Sequence, residues 1–151
     1  MKKAEARIVP PIYLLLTMVS MFILNLAFPL EQWVPDDFQI WGNLGVLIAF
    51  GWIYYCVRAF RKARTPLRPF LPVTAMITDG PFRYSRNPVY LGMFVLLTAW
   101  AVSLGSASPW LGVLFFIPFI HFGWVLPEEA QMEREVGAEY LEYKKRVRRW
   151  L

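Results

Sequence analysis

The sequence changes character within residues 80–92, which read Gly80-Pro81-Phe82-Arg83-Tyr84-Ser85-Arg86-Asn87-Pro88-Val89-Tyr90-Leu91-Gly92. A basic, polar segment ends at Asn87, a favoured residue before a helix, and Pro88 suits the first helical turn. The chain is then predominantly apolar to Leu104. These residues predict a helix that begins at a membrane surface with its free N–H groups facing a basic loop, where an anionic group can be held. A capped helix with interfacial Arg and Tyr anchors has the same pattern, so both interpretations stay open.

The composition indicates a membrane protein. Of the residues, 57% are hydrophobic and only 18% are charged, whereas soluble domains carry about 25% charged residues. The net charge of +5 comes from blocks of charge between long apolar runs. This distribution is typical of a polytopic membrane protein and argues against nucleic acid as a partner. The length predicts a single domain over residues 1–151.

Four apolar segments predict an all-α integral membrane protein with the lipid bilayer as its surroundings. They cover about residues 12–28, 40–57, 88–104 and 110–126, each near the minimum length that crosses ~30 Å of hydrocarbon. A loop over residues 58–87 separates the second and third spans. An amphipathic cytoplasmic helix is predicted over residues 128–148, because one helical face is apolar. That face carries Met132, Val136, Tyr140, Tyr143 and Val147.

Some residues within the spans suggest how the helices pack. Gly42, Gly45 and Gly51 could let a neighbouring helix approach closely, and Asn25 is expected to form a hydrogen bond between helices. Pro118 is expected to kink the fourth span. Beyond the spans, the basic C-terminal end and Trp150 suit an anionic membrane surface.

The distribution of basic residues predicts the orientation. All 16 Lys and Arg residues lie in residues 1–9, 58–87 and 128–151, which four spans place on one side of the membrane. The two opposite loops contain Glu31, Asp36 and Asp37 but no basic residue. The positive-inside rule therefore predicts that both termini and the candidate chemistry are cytoplasmic.

The residues alone leave the chemistry open. The sequence has no Gly-rich nucleotide loop, no nucleophile elbow and no Cys/His cluster, so no metal is predicted. The adjacent Glu128 and Glu129 are first-turn acids that the helix dipole favours, or carboxylates that accept hydrogen bonds from a ribose or an ammonium. His121 lies within a span, where such a residue is often functional, although an interhelical hydrogen bond explains it too.

Two motifs carry a resemblance to a known family. Residues 80–92 resemble the "GPYRYxRHPxYxG" signature of membrane methyltransferases. The segment Glu128-Glu129-x-x-Met132 followed by Val136-Gly137-Ala138-Glu139-Tyr140-x-x-Tyr143-x-x-x-Val147-x-Arg149-Trp150 resembles their "EExxL…FGxEYxxYxxxVxRW" ending. Together they are similar to the isoprenylcysteine carboxyl methyltransferase family, with the phospholipid N-methyltransferases as kin. The resemblance covers about half the chain, from Thr65 onward.

The resemblance implies methyl transfer from S-adenosylmethionine to a lipophilic acceptor at the cytoplasmic membrane face. The cofactor-binding positions that it implies are Thr74, Ala75, Met76, Ile77, Phe82, Asn87, Pro88, Val89, Tyr90 and Glu128. We also consider catalytic roles for three residues. Arg86 could bind an anionic substrate head, while Glu129 and His121 could accept a proton from an amine or thiol nucleophile.

Two departures from the family pattern bear on the substrate. Asn87 stands where the family usually has His, which excludes acid–base chemistry by a His at this position. Trp124 stands where the prenylcysteine enzymes carry an Arg that contacts the substrate carboxylate, which disfavours that substrate. The alternatives are therefore a phospholipid or amine N-methyltransferase, or a non-catalytic module that binds lipid or protein. A reductase with a nicotinamide cofactor is a third, since some sterol reductases have similar C-terminal halves.

Overall fold

The computed structural model describes residues 9–64 and 76–151, and within these ranges the chain forms helices and no strand. The longer helices are joined by a short 3-10 turn at Gly80–Arg83 and a π-helical turn at His121–Val125. The α-helices are α1 (Pro10–Ala27), α2 (Asp36–Lys62), α3 (Pro88–Leu104), α4 (Trp110–Ile120), α5 (Leu126–Glu135) and α6 (Ala138–Arg146).

Among the described residues, three helices are long and apolar enough to cross a membrane, namely α1, α2 and the continuous helical segment Trp110–Glu135. Helix α3 is apolar but shorter, with 17 residues, and its bounds are those predicted from the sequence. Helix α2 extends beyond the predicted span at both ends. The predicted loop 58–87 therefore begins after Lys62, because Arg58, Arg61 and Lys62 belong to the last turns of α2.

Helix α3 is the centre of the bundle. It packs most extensively against α2 and also contacts α1 and α4. Its buried Met93, Leu97 and Ala101 share a core with residues of α1 and α4. In contrast, Leu47 and Ile48 of α2 are largely exposed apolar side chains. Such a surface is expected where a helix faces lipid rather than water.

Small residues set the close approach of α2 and α3. A Cβ atom added to Gly42 would lie 2.4 Å from the Ser103 amide nitrogen, and one added to Gly45 would lie 2.9 Å from the Ala99 Cβ. The predicted close packing at these two glycines is confirmed. Within residues 9–64 and 76–151, Gly51 has no neighbour within 4 Å of such an atom, so the prediction of a close helix is wrong at this position, which lies on another face of α2.

The C-terminal region differs from the predicted helix over residues 128–148. Helix α4 continues through the π-helical turn into α5, so no break separates the fourth span from the acidic segment. The Leu126 amide bonds to the His121 carbonyl five residues earlier, and this wider turn accommodates Pro127, which cannot donate a hydrogen bond. The break falls instead at Gly137, whose φ of 67° favours glycine.

The residues predicted to share the apolar face of one C-terminal helix pack together, although they belong to two helices and to Val147, which follows α6. Tyr140, Tyr143 and Val147 form a buried cluster, with Met132 and Val136 packed against it. On the opposite side of the bundle, Asn25 accepts a hydrogen bond of 2.6 Å from the Ser106 hydroxyl. Its partner therefore lies in the turn after α3 and not in a second helix, which corrects the prediction for Asn25.

Candidate functional site

The first element of the site is a hydrogen bond between Tyr90 and Glu128. Tyr90 lies in the first turn of α3, and its hydroxyl donates to the Glu128 carboxylate at 2.7 Å. The start of α3 is held in place by Trp52 of α2, whose indole N–H donates to the Pro88 carbonyl at 2.8 Å. A carboxylate has several acceptor sites, so Glu128 keeps capacity for a hydroxyl or amine of a ligand.

The second element is a cluster centred on Glu129, whose exposed fraction is only 5%. Arg86 donates to its carboxylate from Nε and Nη2 at 3.1–3.3 Å. Arg149 donates from Nε and Nη2 at 3.0–3.2 Å, and the Asn87 amide donates at 3.2 Å. The hydrogen bonds that Arg149 donates to Glu129 also raise the pKa of Arg149, so this guanidinium stays charged. Two cations and an amide thus neutralise and surround one buried carboxylate.

Arg86 is fully engaged by protein acceptors. Besides its bonds to Glu129, its Nη1 donates to the Val147 carbonyl at 2.7 Å and to the Lys144 carbonyl at 3.4 Å. Its side chain is 8% exposed. A direct contact of Arg86 with a substrate would therefore require one of these bonds to be exchanged.

The C-terminal segment 147–149 lies across the segment that precedes α3. The Arg86 amide donates to the Arg148 carbonyl at 2.9 Å, and the Ser85 hydroxyl donates to the Arg149 carbonyl at 3.1 Å. The Tyr143 hydroxyl donates to the Phe82 carbonyl at 2.7 Å. Burial raises the pKa of Tyr143 to about 12, so this hydroxyl remains a donor at physiological pH.

Replacing Tyr143 by phenylalanine removes the hydroxyl that bonds to Phe82 and leaves the ring in place. We expect the protein to lose about 1 kcal/mol of stability, the net contribution of one neutral hydrogen bond, plus a comparable amount for the unpaired carbonyl. Thermal unfolding in detergent measures the change. Tyr84→Phe is the matched control because Tyr84 is exposed, and an equal loss in both variants would contradict the assignment.

Asn87 precedes α3 as predicted, but its side chain does not cap the helix. Its amide nitrogen donates to Glu129 and, at 3.3 Å, to the Arg149 carbonyl. The bond from the Asn87 side-chain nitrogen to the buried carboxylate fixes the orientation of this amide, and hydrogen bonds to charged groups are stronger than the neutral bond that its oxygen would accept as a cap. The first N–H groups of α3 are therefore left without a side-chain cap from Asn87.

The other predicted cofactor residues lie around this junction. Phe82 is buried and packs edge-to-face on Phe60 with ring centroids 5.4 Å apart. Pro88 is buried, and Val89 packs against the main core. Met76 contacts the cluster of α6, whereas Ile77 is half-buried. Thr74 and Ala75 lie outside the described residues.

His121 lies apart from the two glutamates. Its ring centroid is 6.0 Å from that of Trp150 and 5.0 Å from that of Phe122. In the described ranges no hydrogen bond joins it to Glu128 or Glu129. The structure thus brings Tyr90 to Glu128, and Arg86 and Asn87 to Glu129, but leaves His121 in an aromatic contact with the C-terminal segment.

Sequence reasoning missed the position of Arg149. The basic C-terminal pattern indicates a membrane surface, but the Arg149 guanidinium turns inward to Glu129. One signal was present, because Arg149 stands within the Val147-x-Arg149-Trp150 motif while Arg146 and Arg148 do not match it. A basic residue that matches a motif position is more strongly expected to have a specific partner than basic residues at positions outside the motif.

Comparisons with known proteins give a family. The model of a family described as phospholipid methyltransferase matches residues 38–139, more than half of the chain. An uncharacterized protein of Haemophilus influenzae is 43% identical over 63 residues, which cover 42% of this chain and 100% of that relative. No solved structure matches significantly. The family match includes both glutamates of the site but ends before Arg149.

Proposed function

We propose, since this chain belongs to the phospholipid methyltransferase family, that it transfers a methyl group from S-adenosylmethionine to a lipophilic acceptor at the cytoplasmic membrane face. The apolar helices agree with an acceptor that resides in the bilayer. The observation that carries the proposal is the Tyr90–Glu128 pair. It lies at the junction of α3 and α5, inside the region that matches the family.

The residues at this junction fit the chemical groups of S-adenosylmethionine. Glu128 offers an acceptor for the ribose hydroxyls or the amino group. The first N–H groups of α3, which Asn87 does not cap, suit a carboxylate. Tyr90 and Phe82 are aromatic rings of the kind that contact a sulfonium cation or an adenine. We extend the proposed site to Met76, Ile77, Asn87, Pro88 and Val89, and to Thr74 and Ala75 outside the described residues.

When bound, the cofactor supplies an electrophilic methyl carbon on a sulfonium. The protein's task is to hold the acceptor nucleophile about 3–3.5 Å from that carbon and in line with the breaking bond, because positioning supplies most of the rate. A carboxylate acceptor needs no base, whereas an amine or thiol must lose a proton. Glu128 is the candidate base that we favour for such a proton. Glu129 is held by two guanidinium groups, and His121 contacts Trp150.

The acceptor class is narrowed by the buried residues near the site. Trp124, which stands where the prenylcysteine enzymes have an Arg, is only 4% exposed. Arg86 and Arg149, which contact the adjacent Glu129, are both paired with that carboxylate. These features support an acceptor other than a prenylcysteine carboxylate, such as a lipid amine.

The topology that we propose, with four spans and cytoplasmic termini, follows from the charge distribution.

Titration of the detergent-purified protein with S-adenosylmethionine tests the proposal. We expect one cofactor per chain by calorimetry and no heat with NADPH, because the family that matches this chain is one of methyltransferases. A folded, monodisperse protein that shows no binding at millimolar cofactor would refute the proposal and favour the non-catalytic module. Binding of NADPH alone would favour the reductase.

The acceptor is then identified by the stability of the transferred label. Membranes are incubated with the protein and methyl-labelled cofactor, and the lipids are extracted and treated with base. Label that base releases as volatile methanol belongs to a methyl ester, while label that stays on a non-volatile amine, including a headgroup that base frees from its acyl chains, belongs to an N-methyl group. We expect the second result.

A further inference from the structure

We propose that Glu129, Arg86 and Arg149 form a latch, an ion cluster around the buried Glu129 carboxylate that positions the cofactor site without touching the cofactor. The inference rests on the proposed function, because it concerns the same site. It assigns Glu129 as a positioning residue and gives the C-terminal segment 147–149 a role in cofactor affinity.

The latch joins the two backbone segments that carry the Tyr90–Glu128 pair. Glu129 follows Glu128 directly in α5, and Asn87 precedes Tyr90 by three residues. The Asn87 amide and the Arg86 guanidinium both donate to Glu129. The latch therefore fixes the start of α3 against the start of α5, and this spacing sets whether the Tyr90 hydroxyl reaches Glu128.

The C-terminal segment completes the latch from the other side. The Arg149 Nε–H is shared between the two oxygens of the Glu129 carboxylate, and Nη2 donates to one of them. The Arg148 and Arg149 carbonyls accept bonds from the Arg86 amide and the Ser85 hydroxyl. Without Arg149, the segment before α3 would lose its fixed partner, because these bonds depend on the segment 147–149 lying in place.

The latch acts by positioning the site, because the Glu129 carboxylate is already hydrogen-bonded to side chains of the protein. Glu129 is 5% exposed, and its carboxylate accepts hydrogen bonds from three side chains. Functional groups must be held within about 0.5 Å of their productive geometry to act at full strength. If opening the latch leaves the competent arrangement populated to about one tenth, the apparent dissociation constant rises about tenfold.

The test compares Glu129→Gln with Glu133→Gln by calorimetric titration with S-adenosylmethionine. Glu133 lies in the same helix and forms an exposed ion pair with Lys144, so its replacement is the matched control. We expect Glu129→Gln to raise the dissociation constant about tenfold with an unchanged number of sites per chain. A merely structural role would lower the number of sites and leave the dissociation constant unchanged, and that result would overturn the inference.

If Glu129→Gln does not fold, Arg149→Lys tests the latch instead, because it keeps the positive charge and loses the bidentate hydrogen bonding to Glu129. We expect it to raise the dissociation constant about threefold and to speed amide exchange in residues 85–91. Parent-like affinity despite faster exchange would overturn the latch while leaving the proposed function intact. Failure of the parent protein to bind the cofactor would instead refute the proposed function and the latch with it.

Discussion

Glu128→Gln is expected to weaken S-adenosylmethionine binding by about 100-fold. The carboxylate lies at the junction of α3 and α5 and is oriented by the Tyr90 hydroxyl at 2.7 Å. A hydrogen bond to a charged group contributes about 1.5–3 kcal/mol, and a 100-fold change in affinity corresponds to about 2.7 kcal/mol. Glutamine has nearly the same shape, so the loss reports on the charge rather than on packing. Calorimetric titration measures it.

A double-mutant cycle with Tyr90→Phe sharpens this expectation. The Tyr90 hydroxyl orients the carboxylate, so Tyr90→Phe alone is expected to cost about tenfold in affinity. The double variant should bind no more weakly than Glu128→Gln alone, because the two groups act as a unit. Glu142→Gln serves as the control, since Glu142 forms an exposed ion pair with Lys145. If the Glu128→Gln protein binds the cofactor like the parent, our assignment of this carboxylate is wrong.

Gly42→Ala and Gly51→Ala are expected to change stability in opposite directions, although both glycines lie in α2. A Cβ on Gly42 would lie 2.4 Å from the Ser103 amide nitrogen and 2.8 Å from the Ala99 carbonyl oxygen. These are backbone atoms of α3 and cannot move aside cheaply. Overpacking of this kind costs about 1–3 kcal/mol. The Cβ on Gly51 meets no described residue within 4 Å, and alanine favours the helix by about 0.5–1 kcal/mol over glycine.

Unfolding in mixed detergent micelles measures both changes under one condition. The comparison has its own internal control, because the same chemical change is made twice in one helix. Equal effects at the two positions would show that α2 and α3 do not approach each other at Gly42. Because the contact between α2 and α3 is the most extensive in the bundle, we expect the Gly42 variant also to be less monodisperse.

Much of the fold could be predicted from the sequence because it depends on local pattern. The apolar run that follows Pro88 gives α3 its predicted bounds. The apolar face at Tyr140, Tyr143 and Val147 follows from helical spacing. The continuation of the fourth span into α5 was not predictable, since Pro127 normally indicates an end, and only the wider turn before it removes the conflict.

The site was predictable only in part. Motif resemblance singles out Tyr90 and Glu128, which the structure joins. It does not reveal that Arg86 and Glu129 contact each other, because they lie 43 residues apart in the chain. Local preference also does not predict the partner of Asn87. Its side chain is of the type that caps a helix, but its amide nitrogen donates to the buried Glu129 carboxylate. Such competition depends on tertiary contacts that a single sequence does not display.

The order of the residues along the chain has a consequence for biosynthesis. Arg149, which closes the cluster around Glu129, follows all of the apolar helices. Because a chain is made from its N-terminus, these helices leave the ribosome before the residue that fixes the start of α3. A newly inserted chain therefore has its apolar helices before the residue that closes the cluster, and we expect full affinity for the proposed methyl donor only after Arg149 has reached Glu129.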